Sequence, residues 1–443
     1  MESENNGRLQ NKIKKFAITG LGLVSPLGSG VQKNWQRLTG GESAVRYEIK
    51  NEAFIARAEG FDMSENLRRL AMAFIAVQEA IKDAGLINSG YEKNRIGLSC
   101  GESKPDLFQE NFTFDNSLPE QIKNIFKIEG QTSCVSAACA TGTLTIIKGC
   151  ELITNDICDA VICGVSETSV HPLYIAAFKN MGVLSKKGHK PFDKDRDGFS
   201  IGEGAGFIIV EDLKKAVLRG AKIYCELAGK SFGIYTDNMV NISSPDGMRG
   251  IIRKASGGEI PDYIHAHGTG TKLNDYFESA AIGRHSEELR LKSEDKDNGA
   301  ENAVIPSPLA GGSPRNNEDE SGAGARCERP GSEEKRGEGQ GEGSAVISAL
   351  QSPLSARPLV SSTKAATGHM LGVSGIVGSI FSILALKNNI VPPTLNFNET
   401  DIPFNLNYVK NAASAQTINS ALSLSFGFGG HGAALCFKKS GLC

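Results

Sequence analysis

One cysteine in this chain lies where a thiol is easily activated. Cys139 falls within Ala-Cys-Ala-Thr-Gly, residues 138–142, between a stretch typical of a strand and a run, residues 143–150, typical of a helix. A thiol at such a turn faces the positive end of the helix dipole, which favours the nucleophilic thiolate. Ten cysteines are present, and a buried cysteine usually serves packing, so Cys139 alone indicates little.

Two histidines also follow predicted strands and are flanked by glycine. His267 lies in His-Ala-His-Gly-Thr-Gly-Thr, residues 265–271, and His369 ends Lys-Ala-Ala-Thr-Gly-His, residues 364–369. Taken singly, either histidine has an ordinary structural explanation. Together, in a chain with only seven histidines, and with Lys364 shortly before the second, they favour positioned catalytic groups over core fillers.

The chain resembles the β-ketoacyl-acyl-carrier-protein synthases of the elongating type II kind, which belong to the thiolase superfamily. The segments that carry the resemblance occur in the family's order at residues 19–28, 138–142, 191–199, 267–278, 364–369 and 426–430. They span nearly the whole chain apart from one insert. The combination is therefore far more specific than any single motif.

The resemblance assigns roles that the residues can also perform chemically. Joining two thioesters needs a nucleophile that holds one acyl group and also leaves easily, and the Cys139 thiolate meets both demands. His267 and His369 would donate hydrogen bonds to the thioester oxygen while a malonyl group loses carbon dioxide. The N–H groups of Cys139 and Phe428 would bind the oxyanion, and Gly429 would give the gating Phe428 room to move.

Further residues are assigned supporting roles by the same resemblance. Lys364, Asp275 and Glu278 match an ion network that would hold His369 and the active-site loop; an ordinary buried salt bridge is the alternative. Thr269 and Thr271 match positions that bind the phosphopantetheine arm, although hydroxyls beside glycine are also good turn residues. The initiating branch of the superfamily has asparagine in place of one histidine, so the two histidines favour the elongating branch.

We therefore expect a decarboxylative Claisen condensing enzyme for fatty acid synthesis, acting on groups carried by an acyl carrier protein. The resemblance implies no tightly bound cofactor, no metal, and a homodimer or a heterodimer with a related subunit. One rival is a polyketide-type ketosynthase. A silent chain-length-factor subunit would lack the Cys139 thiol, and a coenzyme A thiolase would need a second cysteine motif, whereas Cys436 lies in an apparent strand. A pure binding scaffold would not need three catalytic side chains.

Composition agrees with a large cytoplasmic enzyme. The chain has 443 residues, 40% of them hydrophobic, and a net charge of −2, which gives no reason to expect nucleic acid. Residues 1–15 are too polar for a secretion signal. The richest apolar stretch, residues 371–386, is too short for a membrane span. The cysteines form no CxxC pair or Cys/His cluster in sequence, which predicts reduced thiols and neither disulfides nor zinc.

Short apolar strands alternating with amphipathic helices predict an α/β protein. Strands are predicted near residues 16–19, 95–99, 160–163, 206–210, 223–227, 263–266, 359–362, 422–425 and 433–437. A helix is predicted from a cap at Ser64 to Gly85, with one face formed by Leu67, Leu70, Phe74, Val77 and Ile81. The resemblance implies a thiolase-like fold: two similar α/β halves with central mixed sheets in an α-β-α-β-α arrangement.

We divide the chain into residues 1–212, with the cysteine, and residues 213–443, with both histidines. The second half is interrupted at about residues 286–348 by a Gly-, Glu-, Ser- and Arg-rich insert that we expect to be disordered, either as an inert linker or as a partner-binding segment. The chain departs from the family pattern in a shortened region at residues 100–131, at Leu424, and at His431, which could approach the active site. These departures bear on pocket size and partner, not on the reaction class.

Overall fold

The computed structural model describes residues 14–103, 117–234, 244–297 and 357–441. The strands are β1 (Phe16–Ser25), β2 (Gly28–Ser29), β3 (Arg46–Glu48), β4 (Ala53–Ala56), β5 (Ile96–Gly101), β6 (Thr132–Val135), β7 (Ala160–Glu167), β8 (Ile201–Gly202), β9 (Gly204–Asp212), β10 (Cys225–Ile234), β11 (Tyr263–His265), β12 (Leu359–Ser361), β13 (Ile390–Val391), β14 (Asn407–Tyr408), β15 (Ser414–Ala415), β16 (Ser420–Phe426) and β17 (His431–Lys438). The helices are α1 (Val31–Thr39), α2 (Glu65–Ala84), α3 (Leu118–Phe126), α4 (Thr141–Thr154), α5 (Pro172–Asn180), α6 (Leu213–Leu218), α7 (Asp246–Ser256), α8 (Lys272–Asp297), α9 (Lys364–Thr367) and α10 (Val373–Asn388).

The main sheet is mixed and contains the same strand order twice. Adjacent strands of the sheet follow the order β14-β12-β11-β16-β17-β10-β1-β9-β7-β5-β6. In the first half, β5 pairs in parallel with β6 and β7, and β9 and β1 follow in antiparallel. In the second half, β11 pairs in parallel with β12 and β16, and β17 and β10 follow in antiparallel. A short antiparallel pairing of β1 with β10 joins the two sets.

This repeat gives Cys139 and His369 equivalent places in the topology. In each half, the third strand of the set leads into a short helical turn and then into a largely buried helix. β6 leads to a 3-10 turn at Ala138–Ala140 and to α4, while β12 leads to α9 and α10. Cys139 lies in the first turn, and His369 lies between the second turn and its helix. The fold thus brings the two residues to matching helix N-termini.

Helices α4 and α10 pack against each other in the core. Every residue of α10 from Val373 to Leu386 is buried, including Ser379 and Ser382, whose hydroxyls donate to main-chain carbonyls one turn earlier. The apolar stretch noted in the sequence is therefore a core helix. Among the described residues, no helix is long and apolar enough to cross a membrane.

Two sequence predictions need correction. Helix α2 occupies the predicted range, but the predicted apolar face is not fully buried, since Leu67 and Phe74 are 59% and 38% exposed. The helix instead presents its Ala76 and Ala80 side to β1. A Cβ at Gly20 or Gly22 would collide with that helix backbone, so the glycines permit an approach that a helical pattern alone does not reveal.

The predicted start of the insert at residue 286 is also wrong. Helix α8 continues through Asp297, since the charged residues there are good helix formers and the run continues an established helix. The rest of the predicted insert, residues 298–348, lies outside the described residues. So do residues 104–116 of the shortened region.

Candidate active site

Cys139, the predicted nucleophile, lies on a strained turn. Cys139 is 4% exposed, and the preceding Ala138 has φ of 47°, a left-handed conformation that costs a non-glycine residue about 1–3 kcal/mol. The Thr141 hydroxyl donates to the Ala138 carbonyl at 2.7 Å and accepts the Ala137 N–H at 2.9 Å. These bonds hold the turn so that Cys139 sits at the start of α4, where the helix dipole favours a thiolate.

Glycines allow the two helix N-termini to meet. The Gly142 N–H, in the first turn of α4, donates to the Gly372 carbonyl just before α10 at 3.0 Å. A Cβ on Gly142 would lie 2.7 Å from the Gly372 carbonyl oxygen and 2.7 Å from the Ile376 nitrogen, closer than real side chains approach. Gly142, the last residue of the Ala-Cys-Ala-Thr-Gly motif, is therefore required for the contact that brings Cys139 towards His369.

The three predicted catalytic side chains come together. The Cys139 sulfur and one ring nitrogen each of His267 and His369 all lie within 4.8 Å of one another, and all three residues are buried. The two imidazole centroids are 5.3 Å apart with ring planes at 82°. A small reacting group bound beside the thiol can therefore contact both imidazoles at once.

The main chain at His267 is held by a buried carboxylate. The N–H groups of His267 and Gly268 donate to the two oxygens of Glu278 at 2.6 and 2.7 Å. Asp275 acts similarly on the next turn, since it accepts the Gly270 N–H at 3.1 Å and the Phe192 N–H at 2.7 Å. Both carboxylates thus fix the loop that carries the first histidine.

The predicted ion network is arranged differently from the expectation. Among the described side chains, Lys364 forms no salt bridge with Asp275 or Glu278; its ammonium donates to the His267 carbonyl instead. His369 is held by other groups: its N–H donates to the Ser200 carbonyl at 2.6 Å, and its Nδ1 lies 2.9 Å from Ser374 Oγ. Lys364 therefore supports His267, because its side chain extends towards β11.

The hydrogen-bond partners fix the tautomer of His267 and are compatible with the same tautomer in His369. Lys364 Nζ lies 3.4 Å from His267 Nδ1, and an ammonium can only donate, so the proton of a neutral His267 ring is on Nε2. Ser374 Oγ accepts the Met370 N–H at 2.9 Å, and its hydroxyl hydrogen can donate to His369 Nδ1 when the ring proton is on Nε2. Each ring then presents an Nε2–H donor.

Burial keeps both imidazoles neutral. It is the largest cause that lowers the pKa of His267 and of His369 well below 6.5, and the charge of Lys364 lowers both pKa values further. Burial also lowers the pKa of Lys364 and raises that of Glu278. Neutral imidazoles can donate to a substrate oxygen without carrying the charge of an imidazolium.

The pH dependence of the histidine-assisted step should reflect these shifts. The predicted role of both histidines uses their neutral forms, and protonation occurs only well below pH 6.5, so we expect no loss of carbon dioxide release from malonyl-acyl-carrier protein as the pH falls through 6.5. Initial rates between about pH 5.5 and 8, with folding monitored by circular dichroism, would measure this. An acid limb centred near 6.5 that disappears in His369→Gln would contradict neutral, buried donors.

The predicted pantetheine-binding threonines lie side by side. Their hydroxyl oxygens are 2.9 Å apart, on a turn in which Gly268 has φ of 41° and Gly270 has φ of 78°. Thr269 is buried, and Thr271 is partly exposed. The pair therefore offers one buried and one partly exposed hydroxyl group on the turn that follows His267.

His189, which no sequence motif indicated, connects the threonine turn to the His369 segment. His189 Nε2 lies 2.7 Å from the Thr269 carbonyl oxygen, and its Nδ1 accepts the Ser200 N–H at 3.3 Å. Both bonds form only if the proton is on Nε2, and burial lowers the pKa of the ring to about 3. Since Ser200 also binds the His369 main chain, His189 is a positioning residue for both loops. No local motif marks it, because both partners are distant main-chain groups.

We expect His189→Ala to raise KM for the carrier-bound substrate by about five- to tenfold, with a smaller change in kcat, because one hydrogen bond that orients Thr269 contributes about 1 kcal/mol. His189→Gln should restore much of the affinity, since its amide can reach the Thr269 carbonyl. His285→Ala is the matched control, because His285 is a buried histidine bonded to Ser256. Equal KM increases in the alanine variants at both sites would indicate general destabilisation.

The glycine loop packs directly against the nucleophile. A Cβ on Gly427 would lie 3.0 Å from the Cys139 nitrogen and 3.2 Å from the Ala137 carbonyl oxygen. Phe428 is 40% exposed, and Gly429 and Gly430 have φ near 80°. His431 begins β17 and stacks on Phe232 with centroids 6.3 Å apart. The loop is thus placed to offer its amides near the thiol, while His431 lies at its base.

Comparisons with known proteins agree with this geometry. A model described as Beta-ketoacyl synthase, N-terminal domain matches residues 62–216, and one described as Beta-ketoacyl synthase, C-terminal domain matches residues 338–398. A 3-oxoacyl-[acyl-carrier-protein] synthase 2 from Synechocystis is 30% identical over 96% of this chain and 98% of its own length. A putative mitochondrial 3-oxoacyl-[acyl-carrier-protein] synthase from Schizosaccharomyces pombe is 31% identical over 96% of this chain and 99% of its own.

A solved structure supports the fold. It contains a type II polyketide acyl-carrier protein in complex with its ketosynthase bound to the hexaketide; the match has a TM-score of 0.75 and 24% identity, and covers 96% of this chain and 99% of the other. At this identity the likeness is informative about the fold alone. It confirms the predicted thiolase-like α/β class.

Proposed function

The chain belongs to the β-ketoacyl synthase family, and from that premise we propose that Cys139, His267 and His369 perform its condensing reaction. The enzyme is a β-ketoacyl-acyl-carrier-protein synthase, an acyltransferase that joins an acyl group to a malonyl-derived unit. The observation that carries the assignment to these residues is the 4.8 Å cluster of thiol sulfur and two imidazole nitrogens. The thiol serves the first half-reaction, and the two imidazoles serve the second.

In the first half-reaction, the Cys139 thiolate attacks the carbonyl carbon of an acyl thioester on the phosphopantetheine arm. The N–H groups of Cys139 and Phe428 bind the oxyanion of the tetrahedral intermediate, and the close approach of Gly427 to the Cys139 nitrogen supports this pairing. The intermediate collapses, the carrier thiolate leaves and takes a proton, and the acyl group remains on sulfur. Thr269 and Thr271 bind the arm during this step.

In the second half-reaction, a malonyl thioester occupies the same site. Its carboxylate leaves as carbon dioxide, and the electron pair of the broken bond forms an enolate whose oxygen accepts hydrogen bonds from His267 Nε2–H and His369 Nε2–H. The enolate carbon attacks the acyl carbonyl on Cys139 and expels the thiolate. Lys364, Glu278 and Asp275 maintain the His267 loop in the geometry that this step needs.

The partners we propose are an acyl carrier protein and a second copy of this chain. β6 ends the main sheet, so one of its edges lacks a strand partner among the described residues. Two copies of one edge strand can pair antiparallel about a two-fold axis, and Cys139 follows β6 directly. Pairing there would stabilise the strand that supports the nucleophile. We place the reaction in the cytoplasm, as the composition predicts.

A polyketide-type ketosynthase that depends on a related subunit is the second candidate, favoured by the structural match to a polyketide ketosynthase. The experiment is to purify this chain alone, measure its molar mass by light scattering, and supply malonyl-acyl-carrier protein with saturated acyl-carrier proteins of several lengths. A dimer that forms the β-ketoacyl product supports our proposal. Acyl transfer without condensation until a related subunit is added would favour the second candidate.

A further inference from the structure

We propose that Cys139, His267 and His369 also bind a thiophilic divalent cation, with zinc the fitting ion, in competition with acylation. Their three donor atoms lie within 4.8 Å of one another. Tetrahedral zinc has bonds of about 2.0–2.3 Å, so its ligand atoms stand roughly 3.3–3.8 Å apart. Adjustments of about 1 Å in side-chain position bring the three atoms to that spacing.

The donor set selects the type of cation. A thiolate with two imidazoles suits zinc, whereas magnesium and calcium require oxygen ligands. The nearby carboxylates of Asp275 and Glu278 accept main-chain N–H groups, so they do not supply such oxygens. Three protein ligands leave the fourth coordination position of zinc open. This site would therefore hold an exchangeable ion, unlike a closed structural zinc site.

The surrounding groups can accommodate coordination. The Cys139 thiol releases its proton to solvent, and each ring proton moves from Nε2 to Nδ1 so that Nε2 can bind the metal. For His369, the Ser374 hydroxyl turns to accept the Nδ1–H across the existing 2.9 Å contact. For His267, the Nδ1–H would face the Lys364 ammonium, whose Nζ lies 3.4 Å away, so the ammonium turns away from the ring while it retains its bond to the His267 carbonyl. The positive charge of Lys364 limits affinity to a level below that of structural zinc sites.

Ligand spacing in the sequence does not reveal this site. The three residues belong to separate segments that follow different strands, and the expectation of no zinc rested on the absence of neighbouring Cys and His residues. A cation bound here would occupy the sulfur that must carry the acyl group. Metal binding and acylation would therefore exclude each other.

The test uses cobalt(II) as a spectroscopic probe on the full chain. We expect titration with Co²⁺ to give a thiolate-to-cobalt charge-transfer band that Zn²⁺ removes and Mg²⁺ does not. The band should be absent in Cys139→Ala and in enzyme acylated beforehand. Removal of an imidazole in His369→Ala or His267→Ala should weaken binding at least about tenfold. Cys134→Ala is the matched control, because Cys134 is an exposed thiol of the single chain. Since it lies on β6, the strand that we propose pairs in the dimer, the variant's molar mass is checked first, and it should retain the band.

A band that persists in Cys139→Ala, or that is lost in Cys134→Ala, would overturn the proposal. So would unchanged affinity in both histidine variants when circular dichroism shows them folded, because the thiol alone would then bind the metal. Absorbance of the bound ion does not depend on turnover. An enzyme that condenses substrates but shows no band would therefore refute only the metal site. An enzyme that shows the band but does not condense substrates would refute only the proposed roles in condensation.

Discussion

Replacing Cys139 by alanine is expected to abolish the acyl-enzyme and to lower condensation at least about a thousandfold, since loss of a covalent nucleophile cannot be offset by the remaining groups. Intact-protein mass spectrometry after incubation with acyl-acyl-carrier protein should show an acyl adduct on the native chain and none on the variant. Release of carbon dioxide from malonyl-acyl-carrier protein should survive, because both histidines remain.

The control for this experiment is Cys134→Ala. Cys134 is exposed on β6, the strand that leads to the active-site turn, so it is the described thiol most open to nonspecific acylation. Because β6 is also the strand that we propose pairs with a second copy, light scattering first checks that the variant keeps the native molar mass; it should then keep both the adduct and the activity. An adduct that is lost in Cys134→Ala but retained in Cys139→Ala would place the nucleophile elsewhere and contradict the assignment.

Replacing either catalytic histidine by alanine is expected to separate the half-reactions. Acyl transfer to Cys139 should continue, while release of carbon dioxide from the malonyl thioester falls about 10²–10³-fold, the usual result of removing one oxyanion donor. The effects of His267→Ala and His369→Ala should be less than additive in the double variant, because both donors bind one oxygen. Acyl-adduct formation and carbon dioxide release, measured on the same preparations, test this separation.

His171→Ala is the control for the histidine variants. His171 caps helix α5, where its Nδ1 accepts the Leu173 N–H, and it takes no part in the ring cluster described above. It should leave both half-reactions unchanged. If His267→Ala or His369→Ala lost acyl transfer as completely as carbon dioxide release, with the fold intact, the assignment of acyl transfer to the thiol and of decarboxylation to the imidazoles would be wrong.

The central residues could be predicted because their signals are local. His267 and His369 lie beside glycine and Cys139 lies in a motif that ends in glycine, each after a predicted strand, and parallel strands bring such ends to a common edge of a sheet. The structure adds the reason that Cys139 and His369 meet, which is the repeated strand order that places them before equivalent helices. Comparing segments of the sequence with one another does not reveal this repeat.

Other features depend on contacts that a single sequence does not encode locally. The side chain of Lys364 reaches the main chain of His267 and not His369, a direction that is set by how β11 and β12 pack. The buried face of α2 depends on Gly20 and Gly22 of another element. His189 acts through two distant main-chain groups. In each case the deciding partner is far away in the chain.

The most direct test of the account follows both substrates in one reaction. The purified chain is incubated with a saturated acyl-carrier protein and malonyl-acyl-carrier protein, and mass spectrometry follows the enzyme and the carrier together. We expect an acyl adduct on Cys139, then loss of carbon dioxide and a carrier-bound β-ketoacyl product two carbons longer than the acyl donor. An enzyme that forms the adduct and releases carbon dioxide, yet returns only acetyl-carrier protein, would contradict the claim that this site joins the two groups.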